Sequence, residues 1–259
     1  MKNKISQVTV EALYSPLPKG FLEELPRLFA TQGTTLHKKR NEIKLLEIGG
    51  QTLCVKKYGT PPFFNRFLYS VGWRTPKAQR TYQNAAKILE RGFCTPCQYG
   101  YVLVYKNGWL TESFSVGEYV ANAHSVEEAR QDEELMRAFA QYTAHLHTNG
   151  LMHRDYILNN VLYTRGENGY KFILIDINRF IFRDKPISGF LQSMNLMQPF
   201  DRQAELKKFV QAYTQVTQAP ASLWKRVAYF RTWRIRYSKL KRLLKKIPGI
   251  KTFYQYRCK

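Results

Sequence analysis

The stretch LMHRDYILNNVLY, residues 151–163, constrains the fold more than any other part of this chain. It carries His153, Asp155 and Asn160 between apolar residues, and the apolar run FILI that follows it ends at Asp176. The segments NVLYT and YKFILID flank the turn-forming residues RGENG, and this pattern predicts a β-hairpin. Pairing of the two strands places Asn160 beside Asp176 at one end of the hairpin, with Asp155 on the loop that leads into it.

These polar residues have the chemistry of a phosphoryl-transfer site. The spacing H-R-D-x-x-x-x-N from His153 to Asn160 is typical of the catalytic loop of protein-kinase-like enzymes, in which a metal-binding Asp ends the next strand. An amide and a carboxylate oxygen suit Mg²⁺, a hard ion that shares its ligands with substrate phosphates. The pattern therefore predicts that Asn160 and Asp176 bind Mg²⁺ and that Asp155 remains available as a base.

A second pattern lies upstream, where EIKLLEI and TLCVKKY flank Gly49–Gly50 and predict another hairpin. Alternation along the second strand puts Leu53 and Val55 on one face and Lys56 on the other. This arrangement matches the V-A-I-K strand, whose lysine contacts nucleotide phosphates. Lys56 is the favoured residue, and Lys57, one register away, is the alternative.

The order of elements predicts an α+β, two-lobed protein-kinase-like fold. A strand-rich half contains one main helix beginning at Thr75–Pro76, and a helix-rich half follows. In the second half, SVEE predicts a capping box at Ser125 for a helix that ends at Asn149–Gly150. We expect an N-lobe with nucleotide-binding strands, a C-lobe with the catalytic loop and metal site, and a basic aromatic helical segment, over residues 1–112, 113–222 and 223–259.

Length and composition exclude several classes of protein. With 259 residues, 44% of them hydrophobic, the chain can bury a sizeable core. No apolar run approaches the roughly 18 residues of a membrane span, and the first residues lack the apolar region of a signal peptide. Four cysteines are too few for a disulfide framework in a chain of this length. These features predict a globular protein of the cytoplasm.

Positive charge is concentrated near the end of the chain. Lys and Arg number 41 against 19 Asp and Glu, a net charge of +22, and no acidic residue follows Glu205. From Leu223 onward, cations alternate with aromatic and aliphatic residues, and a clear apolar stripe comprises Leu240, Leu243, Leu244 and Ile247. This pattern predicts a helix on an anionic membrane surface. Packing on the larger lobe is one alternative, and nucleic-acid binding is another, which the lack of a recognition module disfavours.

Four stretches carry a resemblance to a known family: KKRNEIKLLEIGGQTLCVKKY, NRFLYSVGWRTPKAQRTYQNAAKILERGFCTP, HRDYILNNVLY and FILIDINRF. Over about Lys39 to Arg183 the chain resembles the bacterial lipopolysaccharide kinases, which phosphorylate Kdo or heptose sugars of the lipid A inner core. The resemblance implies an enzyme that uses ATP and Mg²⁺, acts on a glycolipid, and works peripherally at the cytoplasmic face of the inner membrane. By this similarity Asp155 would be the catalytic base and Lys56 the nucleotide-phosphate contact.

Several positions depart from the protein-kinase pattern. HKKRNE stands in place of a Gly-rich loop, so Lys38, Lys39 or Arg40 are the candidate phosphate contacts there. DIN replaces D-F-G, and no A-P-E follows, which favours a small-molecule or glycolipid acceptor over a peptide. Thr81 stands about where a Glu partner for Lys56 is expected. The alternatives are therefore a catalytically silent, kinase-like binding protein of envelope assembly, or a kinase for another small-molecule or glycolipid acceptor.

Overall fold

The computed structural model describes residues 4–167 and 169–244 of the chain. These residues form two compact units. The first unit holds the described residues up to Glu90 together with Thr95–Ala121. The second unit holds Arg91–Cys94 and the described residues from Asn122 onward.

The first unit is built on one antiparallel sheet, whose strand order is β1-β5-β6-β4-β3-β2. Its strands are β1 (Ile5–Glu11), β2 (Thr34–Lys38), β3 (Glu42–Ile48), β4 (Gln51–Lys57), β5 (Gln98–Lys106) and β6 (Trp109–Glu118). Its helices are α1 (Phe21–Thr31), α2 (Phe63–Ser70) and α3 (Lys77–Glu90). The boundary expected after residue 112 falls inside β6, because pairing with β4 and β5 keeps this strand in the first unit.

The hairpin of β3 and β4 confirms the prediction made from Gly49–Gly50. Both glycines have positive φ angles, 58° and 78°, which the tight turn between two adjacent strands requires. On β4, Leu53 and Val55 are buried in a core that also contains Leu25 of α1. The opposite face of the sheet packs against α2 and α3 through a separate core cluster. The predicted alternation of β4 is therefore correct.

Two helices of the first unit were not predicted. α1 buries Leu22, Leu25 and Phe29 on one face, but Pro26 lies inside it and interrupts the helical signal in the sequence. α2 occupies a stretch that the sequence analysis treated as irregular, and its only buried residue is Tyr69. Helix α3 follows Pro76 as predicted.

The second unit combines short strands with longer helices. Its strands are β7 (His124–Ser125), β8 (Leu151–His153), β9 (Val161–Gly166), β10 (Gly169–Leu174) and β11 (Phe180–Phe182). Its helices are α4 (Glu133–Thr148), α5 (Gly189–Leu196), α6 (Gln203–Thr217) and α7 (Ser222–Leu244). β10, β9 and β7 form one sheet, and β8 pairs with β11.

Helix α4 forms the centre of the core of this unit. Its Phe139 ring stacks on Tyr156 at 5.5 Å and on Phe209 of α6 at 5.4 Å, measured between ring centroids. The chain leaves the helix at Gly150, which has φ +72°. A Cβ atom there would lie 2.0 Å from the carbonyl oxygen of Arg183, so both the backbone angle and the space require glycine.

The predicted start of this helix at Ser125 is wrong. Ser125 lies in β7 and pairs with Leu162 of β9, which keeps its backbone extended. The capping-box contact between the Ser125 amide and Glu128 does form, but it closes a turn that precedes the helix. Helix α4 instead begins after Asp132, whose carboxylate accepts a hydrogen bond of 3.0 Å from the amide of Leu135.

Helix α7 contains the basic aromatic segment as far as the structure describes it. Leu223 and Val227 are fully buried, so the first half of the helix packs on the second unit. Leu240, Leu243 and Leu244 are exposed, and Ile247 of the predicted stripe lies outside the described residues. In the part of the chain that is described, no helix is both long and apolar enough to cross a membrane.

Candidate active site

The predicted catalytic loop connects β8 to a short 3-10 helix, Leu158–Asn160, that leads into β9. Tyr156, directly after Asp155, anchors this loop because its ring is buried and its hydroxyl contacts Thr143 of α4 at 2.8 Å. The amide of Tyr156 also donates to Gln198 Oε1 at 3.1 Å. Asp155 itself is only half-buried and remains accessible.

His153 joins the two strand ends on which the site is built. Its Nδ1 atom accepts a hydrogen bond of 3.1 Å from the amide of Asp155, so the ring proton is on Nε2. Nε2 donates to the carbonyl of Ile175 at 3.0 Å, one residue before Asp176. Burial lowers the pKa of His153, and the hydrogen bond to Ile175 opposes this shift. A neutral imidazole therefore holds the backbone of Asp155 next to the end of the following hairpin.

Asn160 and Asp176 lie at the same end of the β9–β10 hairpin, as predicted. Val161 pairs with Leu174, and the amide of Ile175 donates to the carbonyl of Asn160 at 3.0 Å. Asp176 has φ 52°, a left-handed conformation that non-glycine residues adopt infrequently and that clusters at functional sites. The side-chain amide of Asn178 donates to Asp176 Oδ1 and fixes this carboxylate.

The donor groups at this end of the hairpin fit a magnesium ion. Asn160 Nδ2 donates to the carbonyl of Asp155 at 2.8 Å, which commits its amide nitrogen, so Oδ1 is the side-chain atom that could bind a metal ion. The carboxylate of Asp176 offers further oxygens. Among the described residues, no three His, Cys, Asp or Glu side chains gather into a metal cluster. Two oxygen ligands suit an ion that keeps waters and shares substrate phosphates.

A second buried network supports the catalytic loop, and the sequence did not reveal it. His147 of α4 donates from Nε2 to Asn195 Oδ1 at 2.8 Å, and Asn195 Nδ2 donates to the carbonyl of His153 at 2.7 Å. The hydroxyl of Tyr213 donates to His147 Nδ1 at 2.9 Å and accepts from Gln192 at 3.0 Å. The network links α4, α5 and α6 to the strand that carries His153.

In the first unit, the structure distinguishes the two lysines of β4. Lys57 forms an ion pair with Glu112 and lies 5.3 Å from the ring centroid of Phe114, on the face that packs against α1. Lys56 points to the other face, where its Nζ atom lies 5.4 Å from the ring centroid of Tyr58. This is the face of the sheet that packs against α3.

The side chain of Tyr58 connects this lysine to α3. Its hydroxyl lies 2.7 Å from Thr81 Oγ1 and 3.3 Å from Ser115 Oγ. Thr81 thus occupies the expected position of the acidic partner of Lys56 and bonds to Tyr58 instead. A cation over an aromatic ring gains about 0.5–2 kcal/mol, depending on exposure. Sequence analysis missed Tyr58, although it lies only two residues after Lys56, directly beyond the end of β4.

Lys39 and Arg40, the predicted phosphate contacts, lie in the exposed turn between β2 and β3. The amide of Lys39 donates to the carbonyl of Asn41 at 3.1 Å, which closes the turn. The neighbouring Lys38 pairs with Glu42 at 3.3 Å. The turn connects the two strands that precede β4, and its basic side chains remain accessible.

Comparison with known proteins agrees with this arrangement. The profile of the lipopolysaccharide kinase (Kdo/WaaP) family matches residues 63–228. The chain is similar to a solved structure of WaaP in complex with acyl carrier protein, with a TM-score of 0.58 and 18% sequence identity. The match covers 90% of this chain and 98% of the WaaP chain. A search among curated protein sequences finds no significant match. The structural likeness confirms the predicted two-lobed, kinase-like α+β fold.

Proposed function

Since this chain belongs to the lipopolysaccharide kinase (Kdo/WaaP) family and is a phosphotransferase that acts on a sugar hydroxyl, we propose that it transfers the γ-phosphoryl group of ATP to Kdo or heptose. The acceptor is a sugar of the lipid A inner core. The reaction takes place at the cytoplasmic face of the inner membrane. The phosphoryl transfer is supported by the site residues described above, and the choice of acceptor by the family to which the chain belongs.

In the proposed reaction Asp155 accepts the proton of the acceptor hydroxyl, and the hydroxyl oxygen attacks the γ-phosphorus of ATP. The bond from this phosphorus to the bridging oxygen of the β-phosphate breaks, and ADP leaves. Lys56 binds nucleotide phosphates, and Lys39 and Arg40 are proposed as further phosphate contacts. Asn160 and Asp176 would hold Mg²⁺, which would supply positive charge against the phosphate oxygens. His153 acts as a positioning residue because its two ring nitrogens bond to the backbone on either side of the site.

The observation that carries the proposal is the coupling of three functional positions through backbone contacts. His153 bonds to the amide of Asp155, and Asn160 bonds to the carbonyl of the same residue. The hairpin register then brings the end of β10 against Asn160. A catalytic base and two oxygen ligands on one rigid frame are what phosphoryl transfer requires, because its catalysis depends on positioning and electrostatics.

The test is transfer of labelled phosphate from Mg-ATP to a Kdo-bearing lipid A acceptor and, separately, to a heptose-bearing core acceptor. Asp155→Ala should reduce the rate by about a hundredfold or more, because the hydroxyl loses its general base. Asp184→Ala is the matched control, since Asp184 is a fully exposed carboxylate of the same unit. Equal rates for the intact chain and the Asp155 variant would refute the assigned base.

A catalytically silent, kinase-like binding protein is the second candidate. It is favoured by one observation, the bond between Thr81 and Tyr58 at the position where an acidic partner of Lys56 is expected. Mg²⁺-dependent stabilisation by ATP that survives Asp155→Asn and disappears in Asp176→Ala supports an intact nucleotide site. The silent function then requires that no labelled phosphate reaches either acceptor.

The exposed face of α7 supports membrane association. It presents Tyr229, Trp233, Tyr237, Leu240 and Leu244, which are spaced three or four residues apart and lie on one side of the helix. The rings of Trp233 and Tyr237 stack at 5.5 Å with an angle of 7° between their planes. Aromatic and aliphatic residues flanked by Arg and Lys are typical of helices that lie on anionic membranes. We therefore propose peripheral binding through this face, with nucleic acid a disfavoured partner.

A further inference from the structure

A cavity of about 430 Å³ lies in the second unit between α7 and the chain that follows Asp155. Helix α7 contributes Arg231, Arg234 and Arg242 to its wall, and the opposite wall contains Ile157 and Asn159. Gln198 also lines the cavity, and its side chain accepts the hydrogen bond from the amide next to Asp155. The volume lies within the usual range for ligand sites, about 300–1,000 Å³.

The acidic residues of the cavity wall are already paired. Arg130 bonds to Glu127 at 2.7 Å and to Asp201 at 2.8 Å, and it also contacts Glu205 of α6. Among the described residues, none of these three carboxylates forms an ion pair with an arginine of α7. The lining contains four arginines and two acids, and Glu205 lies against Arg130, which leaves a surplus of one positive charge.

The arginines of α7 have unused hydrogen-bonding capacity. Arg231 Nη2 donates to the carbonyl of Asp201, whereas its Nη1 atom is covered by protein atoms and finds no acceptor among the described residues. Arg234 and Arg242 are exposed, and neither forms an ion pair or hydrogen bond within residues 4–167 and 169–244. A buried guanidinium nitrogen without an acceptor, such as Nη1 of Arg231, is uncommon in native structures and calls for an explanation.

We propose that this cavity binds a phosphate group of the acceptor glycolipid and thereby presents the sugar hydroxyl to Asp155. The inference rests on the proposed function and names the part of the substrate that the second unit recognises. A phosphate monoester carries about 1.5 to 2 negative charges near neutral pH, opposite in sign to the surplus charge of the wall. Guanidinium groups form paired hydrogen bonds with phosphate oxygens and so fix orientation as well as affinity.

The wall of the cavity includes residues of the catalytic loop, so a phosphate group bound there lies next to the segment that carries Asp155. Ile157 and Asn159 follow Asp155 by two and four residues, and the amide of Ile157 bonds to the Asp155 carbonyl at 3.0 Å. A phosphate held by α7 therefore fixes the acceptor against the same segment that carries the base. Arg234 and Arg242 are binding residues in this scheme, and we expect them to affect acceptor affinity and not the chemical step.

The test compares Arg234→Gln/Arg242→Gln with the control Arg226→Gln/Arg236→Gln. Both pairs remove two exposed arginines from α7, but the control pair does not line the cavity. Isothermal titration calorimetry measures binding of a water-soluble, de-acylated, Kdo-bearing diglucosamine bisphosphate to each full-length protein. The cavity variant should bind about tenfold or more weakly, since each lost bond is charge-assisted. The control should differ from the intact chain by less than about twofold.

Two further probes identify the group that is recognised. The dephosphorylated form of the same probe should bind the intact chain as weakly as the bisphosphate binds the cavity variant. Inorganic phosphate tests whether the cavity binds a free phosphate ion and not a phosphate group of the glycolipid. Binding of inorganic phosphate as tight as that of the bisphosphate would overturn assignment to the acceptor. Equal losses in the cavity and control variants would overturn the site itself.

Kinetics separates this inference from the proposed function. In the phosphate-transfer assay, the cavity variant should show a raised KM for the acceptor with kcat and the KM for ATP unchanged. If the intact chain transfers no phosphate yet binds the bisphosphate through the two arginines, the kinase proposal fails and the anion site stands. If transfer proceeds with an unchanged acceptor KM in the cavity variant, the kinase proposal stands and the anion site fails.

Discussion

Mild acid should destabilise the second unit through one buried histidine, His147. Its side chain is 2% exposed, and both ring nitrogens are occupied, Nε2 as donor to Asn195 and Nδ1 as acceptor from Tyr213. A proton on Nδ1 would abolish the bond from Tyr213 and place a charge in the core. Burial accordingly lowers the pKa of His147 to about 4, while the bond to Asn195 opposes the shift.

The magnitude follows from the difference between folded and unfolded states. An unfolded histidine titrates near about 6.5, so the gap to about 4 corresponds to about 3 kcal/mol at about 1.4 kcal/mol per pKa unit. Because the folded pKa is the lower one, the unfolded chain binds the extra proton. This stability is fully present above about pH 6.5, decreases between pH 6.5 and 4, and is lost below about pH 4. At pH 5 the loss should reach about 2 kcal/mol.

The assay is urea unfolding of the full chain near pH 7, 6 and 5, with His147→Gln beside the intact protein. The variant cannot titrate at this position. The difference in free energy of unfolding between the intact protein and the variant should therefore be about 2 kcal/mol smaller at pH 5 than at pH 7. His145→Gln is the matched control, because His145 lies exposed on the same helix. His153 and the carboxylates titrate equally in all three proteins and cancel from the difference. If the difference in free energy of unfolding between the intact protein and His147→Gln is the same at pH 7 and pH 5, the reasoning is refuted.

Two further predictions concern the first unit and the surface of α7. Tyr58→Phe keeps the ring beside Lys56 but removes its bonds to α3 and β6, so the KM for ATP should rise about threefold to tenfold in steady-state kinetics. An unchanged KM would show that the ring alone positions the lysine. Trp233→Ser should weaken sedimentation with anionic vesicles by about tenfold. Val216→Ser, an exposed apolar residue of α6, should leave vesicle binding intact, and equal effects of both changes would contradict a specific membrane face.

The parts of the fold that sequence predicted well depend on local signals. The hairpin of β9 and β10 has a short turn that fixes its register, so the approach of Asn160 to Asp176 follows from the chain alone. The assignment of Lys56 to one face of β4 likewise needs only the alternation of Leu53 and Val55. In both cases the decisive residues lie within one strand pair.

The parts that sequence missed depend on contacts between distant segments. Tyr58 becomes relevant only when α3 brings Thr81 to its hydroxyl, 23 residues away along the chain. His147 reads as an ordinary helix residue until α5 and α6 supply Asn195 and Tyr213. The false helix start at Ser125 has the same origin, because strand pairing overrides a capping signal that is locally correct. No periodicity in the sequence encodes such pairings.

The two faces of α7 explain why its sequence looked only partly amphipathic. One face begins with the buried Leu223 and Val227 and continues, at helical spacing, to Arg234 on the cavity wall. Trp233, which is 53% exposed, and Tyr237 lie on the adjoining, solvent-exposed part of the helix surface. A helix that only packed on its unit would not need stacked aromatic rings on the solvent side. Because Trp233 directly precedes Arg234, single and combined variants of the two show whether vesicle binding and acceptor binding are coupled.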